Sequence, residues 1–230
     1  MQPYIFPYLG YFQLVSAVDV FVFYDDVNFI KQGWINRNKV LINGEENLFT
    51  IPVKNISSFR QINETEINYS IYEKWKGKFL KSLTQSYKKA PYYEEVMSMV
   101  IFILDKKYYN IANLAAESIQ VVSKYLDLKT EFVFSSKNFA ETRGLDKAER
   151  LIKILNQINS NHYINPAGGS DLYEKEYFQK YDIKLEFIKG TLPEYSHPSK
   201  EFISGLSIID VLMWNSKGKV NKMLKQYSLN

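Results

Sequence analysis

Val20-Phe21-Val22-Phe23-Tyr24 is an unbroken apolar run that ends on two carboxylates, Asp25 and Asp26. A short run of this kind predicts a strand buried on both faces, which is the habit of strands in α/β proteins. In open α/β sheets ligands bind outside the C-terminal ends of the strands. The position of Asp25 and Asp26, and not only their chemistry, therefore makes them candidates. Either is suited to act as a general base or to hold a substrate amine. Adjacent aspartates also make turns and cap helices, so that reading stays open.

Lys31, Gly33, Trp34, Asn36, Arg37 and Asn38 follow within a few residues. Hydrogen-bonding groups hung between two apolar segments are the usual make-up of a site on a rigid scaffold. Arg37 to Ile42 and Asn47 to Val53 read as a β-hairpin, because Asn43-Gly44 is a strong two-residue turn signal. Pro52 marks the second run as an edge or a strand end. Arg is scarce beside Lys in this chain, so Arg37 between two asparagines points to planar, bidentate recognition of phosphate or carboxylate.

Before the run, Pro3 and Pro7 hold the chain extended, and a helix is expected from about Pro7, with Leu9, Phe12, Val15 and Ala17 inward. Gly10 there either admits a ligand or merely allows close packing. Beyond the hairpin, apolar residues at helical spacing predict helices over 71–87, to about Leu104, over 108–126, over 144–158 and over 206–214. On the fourth of these Lys147 and Arg150 share a face, suited to clamp an anion or to meet solvent. Glu131 to Phe134, His162 to Ile164 and Lys184 to Ile188 predict short strands. Asn165-Pro166-Ala167-Gly168-Gly169 follows the second, and its Gly pair is suited either to present backbone N–H groups to an anion or to turn the chain. A basic surface helix is expected over 217–227. The pattern is a single mixed α/β domain, 1–230, with several long helices around a modest mixed sheet.

Asp210 lies inside an apolar helix and needs a partner, Arg37 or a backbone donor. His197, in a loop with Tyr195, is the candidate acid–base group on pKa grounds.

Composition narrows the classes. There is no cysteine, which excludes thiol catalysis and disulfides, and two histidines are too few to suggest a metal site. A net charge of +4 spread along the chain is not the basic cluster of a nucleic-acid binder. No apolar run approaches about 18 residues, so no transmembrane segment is expected. The start lacks a signal-peptide pattern, and the cytoplasm is the default location.

Several longer motifs resemble the WbqC-like proteins. They are Gln2-Pro3-Tyr4-Ile5-Phe6-Pro7-Tyr8-Leu9-Gly10, Tyr24-Asp25-Asp26, Gly33-Trp34-Ile35-Asn36-Arg37-Asn38, Lys89-Ala90-Pro91-Tyr92, Tyr163-Ile164-Asn165-Pro166 with Gly168-Gly169, and Leu206-Ser207-Ile208-Ile209-Asp210. The resemblance runs in order over nearly the whole chain. It implies work on an activated sugar in bacterial surface-polysaccharide (O-antigen or capsule) biosynthesis. The expected reaction is group transfer, of acyl type, to the amine of a nucleotide-linked amino sugar. The donor is unknown: acyl-CoA or another activated group would serve, and no metal is indicated. The alternatives are a non-catalytic module that binds a sugar nucleotide or a partner, and nucleotidyl transfer on a Rossmann-like core. The resemblance adds Gln2, Tyr4 and Tyr8 to the candidate substrate contacts Gly10, Lys31, Trp34, Asn36, Arg37, Asn38, Asn165, Gly168, Gly169 and Asp210. Asp25, Asp26 and His197 are the catalytic candidates. Two departures stand out. Proteins of this pattern carry strand-like residues before Gln2, so here that strand is missing or the start is internal. His197 stands where glutamine is expected, which weakens its catalytic role.

Overall fold

The structure, a computed structural model, describes residues 1–197 and 201–230. The chain opens with α1 (Leu9–Ser16), β1 (Val20–Phe23) and a hairpin of β2 (Arg37–Ile42) and β3 (Glu45–Thr50). Three long helices follow, α2 (Tyr69–Tyr87), α3 (Tyr93–Asp105) and α4 (Ile111–Tyr125). Next come β4 (Glu131–Phe134), the short α5 (Ser135–Asn138), α6 (Lys147–Gln157) and β5 (His162–Pro166). The chain ends with α7 (Lys175–Gln179), β6 (Lys184–Gly190), α8 (Ile208–Trp214), α9 (Lys217–Met223) and β7 (Tyr227–Leu229). The class is mixed α/β, as the pattern predicts.

Among the described residues, three small sheets stand in place of one modest sheet. β1 pairs with β4 in parallel, β2 with β3 antiparallel, and β6 lies between parallel β5 and antiparallel β7. The hairpin closes on itself because Asn43 and Gly44 both take positive φ (54° and 84°), which the tight turn demands. Residues 24–130 separate β1 from β4, and the hairpin and α2–α4 occupy that interval.

Phe21 and Phe23 of β1 are buried against Phe132 and Phe134 of β4, with Phe23 stacked on Phe132 at 5.3 Å between centroids. Val20 and Val22 are only half-buried, so one face of this strand is sealed and the other partly open. On the edge away from β4, the Met1 amine donates to the Val22 carbonyl (2.9 Å) and the Tyr24 N–H donates to the Met1 carbonyl (2.9 Å). That is the bonding of a parallel neighbour, so the first residue prolongs the β4–β1 pair on its free side.

α1 begins two residues after Pro7, with Tyr8 as its N-cap. Gly10 leaves room for the Tyr8 ring, which a Cβ there would meet at 2.4 Å. Gln13 is fully buried, and its Nε2 is shared among the carbonyls of Thr191, Met223 and Gln226 (2.8–3.0 Å), tying α1 to the end of the chain. The expected terminal helix stops at Met223, and the last residues turn back onto β6 as β7. The main core runs through α1–α4, α8 and the hairpin. A smaller cluster of Ile152, Leu155, Phe178, Ile183, Leu185 and Phe187 joins α6 and α7 to β5 and β6. Among the described residues no helix is long and apolar enough to cross a membrane.

Candidate functional site

The parallel register of β1 and β4 sets Phe23 beside Phe134, so the residues after each strand meet. Asp25 lies at the start of α5. Its carboxylate accepts from the Ser135 hydroxyl (3.1 Å), the Ser136 N–H (2.9 Å) and the Ser136 hydroxyl (2.6 Å). Its own N–H donates to Ser135 Oγ (3.2 Å). The turn-and-cap reading of the aspartate pair describes this residue.

Asp26, whose side chain has no exposed surface, accepts from Arg143 Nε (2.9 Å), from Arg150 Nη2 (2.7 Å) and from the Ser135 hydroxyl. Burial pushes its carboxyl up, but the hydrogen bonds from Ser135, Arg143 and Arg150 outweigh that and hold it below its ordinary value. A carboxylate held low in this way is a permanent anion and a poor proton acceptor at neutral pH. Its role is to orient two guanidinium groups.

The two arginines differ. Arg150 is 7% exposed, donates through Nε to Thr142 Oγ1 (2.9 Å), and lies over the Tyr24 ring with its Cζ 4.4 Å from the centroid. The side chain of Arg143 is 45% exposed and spends only Nε on Asp26, so its two Nη groups bond to nothing among the described residues. Tyr24 adjoins this pair. Burial raises its phenol, and Arg150, Tyr173 and Asp26 act on it in turn. Tyr163 of β5, also raised by burial, is influenced by Tyr173 and Tyr24. Tyr173 meets the Tyr163 ring edge-on at 6.5 Å. One exposed cation, one buried cation and a group of phenols thus gather beyond the C-terminal ends of β1 and β4. Open guanidinium donors beside aromatic rings are able to pair with an anion that carries a ring.

The other candidates fall into separate groups. Arg37 donates to the carbonyls of Gly33 (2.9 Å) and Gln32, and its guanidinium lies 5.7 Å from the Trp34 ring. It fastens its own loop and makes no hydrogen bond to Asp25 or Asp26. Trp34 is 39% exposed and Lys31 is exposed. Asn36 donates to the Ile51 carbonyl (2.9 Å), and Asn38 to those of Ile5 (3.1 Å) and Phe6 (2.8 Å). Both amides are buried and tie the first residues to the hairpin. The Gln2 carbonyl accepts from the Tyr11 hydroxyl (2.8 Å), and Tyr4 packs on Tyr11 at 5.6 Å. Asn165 lies against Gly169, where a Cβ would come within 2.4 Å of its Nδ2; a Cβ at Gly168 would meet nothing within 4 Å.

Asp210 is fully buried, and its partners are two phenols, not Arg37 or a backbone donor. Tyr87 and Tyr195 each donate to it at 2.6 Å, and Tyr87 Oη accepts from the Leu41 N–H (2.8 Å). Burial pushes the Asp210 carboxyl up, opposed by both phenols and by His197. His197 belongs to this network, with its ring 5.6 Å from Tyr195 and 5.4 Å from Phe202. Among the described residues no three His, Asp or Glu side chains gather to hold a metal ion.

Arg143, Ser135, Ser136 and Tyr173 were not singled out by residue pattern. Arg150 carried a signal: it stands one turn before the buried Ile154 and so faces inward with it.

A family model described as "WbqC-like protein family" matches residues 2–222. An uncharacterized protein of Mycobacterium tuberculosis, Rv1507c, is 26% identical over 209 residues, covering 90% of this chain and 88% of that protein. No solved structure matches the chain.

Proposed function

The chain belongs to the WbqC-like protein family, and from that membership and the geometry above we propose that it binds a nucleotide-linked amino sugar beyond the C-terminal ends of β1 and β4. One observation carries the reading. Asp26 fixes two guanidinium groups and leaves the Nη donors of the half-exposed Arg143 unspent. Arg143 supplies planar donors for a diphosphate, and Tyr24 and Tyr173 supply faces for the attached ring.

The reaction we assign is transfer of an acyl group from an activated donor such as acyl-CoA to the sugar amine, in the cytoplasm as part of surface-polysaccharide synthesis. The amine attacks the thioester carbonyl, a C–N bond forms, the C–S bond breaks with its electron pair departing on the CoA thiolate, and the amine proton must leave. Asp26 is committed to its arginines. Asp25 has no cationic partner, and its Oδ2 accepts only from the Ser136 hydroxyl, so it is the better acceptor for that proton. A non-catalytic binding role is the second reading. It is favoured by the three hydrogen bonds that already engage Asp25.

A thermal-shift screen of nucleotide-linked sugars and acyl-CoA tests the proposal, because a ligand that prefers the native state raises its melting temperature. A nucleotide-linked sugar should raise Tm for the wild type and not for Arg143→Ala. If no nucleotide-linked sugar shifts the wild type, the reading fails. Asp25→Asn then separates the two roles: binding kept with turnover lost supports catalysis, and no turnover by the wild type supports the binding module.

A further inference from the structure

A second surface lies on the loops that flank the hairpin. Two stretches run side by side there: the Phe29 N–H donates to the Arg60 carbonyl (2.8 Å), the Ile62 N–H to the Val27 carbonyl (3.0 Å), and Asn28 bridges Gln61. Phe29, Ile35 and Ile62 are buried and anchor the loops from below. Above them three large apolar side chains stand in solvent: Ile30 at 49%, Trp34 at 39% and Phe59 at 93% exposure. Scattered exposed apolar residues are ordinary, but an aromatic at 93% exposure that this pairing sets opposite a second exposed apolar residue, Ile30, calls for a partner.

The charge around the patch identifies that partner. Lys31 is exposed beside Ile30, and Arg60 adjoins Phe59. The guanidinium of Arg37 is anchored on the carbonyls of Gln32 and Gly33, which hold it near Trp34 without neutralising it. Lys39 also lies 5.7 Å from the Trp34 ring but is shared with Glu46 (2.8 Å). Of the nearby acids, Glu64 accepts from the Gln61 N–H, and Glu66 pairs with Lys54 and also acts on Arg60 through space. Lys31 and Arg37, with Arg60 offset in part by Glu66, leave a basic excess beside the exposed apolar side chains. A second copy of this chain would bring these cations against their own counterparts, which disfavours self-association. An anionic bilayer surface meets both requirements, because its headgroups attract Lys and Arg while Trp and Phe enter the interfacial layer.

We propose that the face formed by Ile30, Trp34 and Phe59, bordered by Lys31, Arg37 and Arg60, docks the protein peripherally on an anionic phospholipid surface. This is independent of the arginine site beyond β1 and β4. Co-sedimentation of the full chain with phosphatidylcholine vesicles, with and without phosphatidylglycerol, tests it. Binding is expected only with phosphatidylglycerol, weakened by salt, with a blue shift in tryptophan fluorescence. Phe59→Ser should lower partitioning about tenfold, the effect of removing one large apolar side chain from the interface. Lys31→Glu should lower it on anionic vesicles, and both variants should keep the wild-type circular dichroism, since both side chains are exposed. Absence of binding to phosphatidylglycerol vesicles at low salt overturns the proposal. So does sedimentation of the wild type as a dimer that Phe59→Ser dissociates, which would make the patch an interface between copies.

Discussion

Asp26→Asn is the sharpest perturbation of the arginine cluster. The substitution keeps the shape of the side chain and a partner for the Ser135 hydroxyl, but it removes the charge that faces Arg143 and Arg150. The two pairs carry unequal weight. Asp26 and Arg150 are 0% and 7% exposed, so Arg150 would be left as a buried cation without its counter-ion, a loss of about 3–5 kcal/mol. The Arg143 side chain is 45% exposed, so its pair contributes roughly 1 kcal/mol at most. At a urea m-value of roughly 2–3 kcal/mol/M, Asp26→Asn should lower the unfolding midpoint by about 1–2.5 M, and Arg143→Ala by no more than about 0.5 M. The pH dependence has a definite sign. The Asp26 carboxyl is held below its ordinary 3.8, so its contribution is complete above that value and is lost as pH falls below it. Asp26→Asn should lack this part of the acid transition. Equal midpoints for wild type and Asp26→Asn would refute the reasoning, as would an Arg143→Ala cost matching that of Asp26→Asn.

Two further outcomes can be checked by denaturation. Gly190→Ala, whose Cβ would lie 1.9 Å from Gln13 Oε1, should destabilise by roughly 1–3 kcal/mol, whereas Gly77→Ala, with nothing within 4 Å in the middle of α2, should stabilise by about 0.5–1 kcal/mol. Tyr87→Phe leaves the Leu41 N–H and one Asp210 oxygen without a partner and should cost roughly 1–3 kcal/mol or more, read from its urea midpoint.

The fold was legible where a residue's fate depends on near neighbours. Tyr72, Phe79, Leu83 and Tyr87 are the buried stripe of α2, within the segment that apolar spacing marks as a helix, and α8, capped by Ser207 through the Ile209 N–H (3.3 Å), lies within another. Steps of four overshoot the 3.6-residue turn, which is why Ile71, at the far end of the same stripe, drifts out to 50% exposure. The candidate site was legible in place but not in wiring. The apolar run marks where β1 ends, and the cluster does gather there. Yet Arg143 lies 117 residues from Asp26 with no local pattern to mark it, and Arg150, marked only by its place on the inward face of α6, lies 124 away. Asn36 and Asn38 look like recognition amides because their targets, the carbonyls of Ile51, Ile5 and Phe6, are generic backbone groups that leave no trace in composition. Asp210 invited a cationic partner for the same reason. Two tyrosines, in a chain with 18 of them, are invisible as specific donors until the fold brings them together.

Titration calorimetry of a nucleotide-linked amino sugar into wild type, Arg143→Ala and Arg37→Ala puts the two arginines in direct competition. Arg143 has open donors beyond β1 and β4, whereas Arg37 is tied to the carbonyls of its own loop. The expected result is a loss of about 1.5–3 kcal/mol in binding for Arg143→Ala and wild-type affinity for Arg37→Ala. Undiminished binding by Arg143→Ala, with the loss at Arg37→Ala instead, would contradict the account.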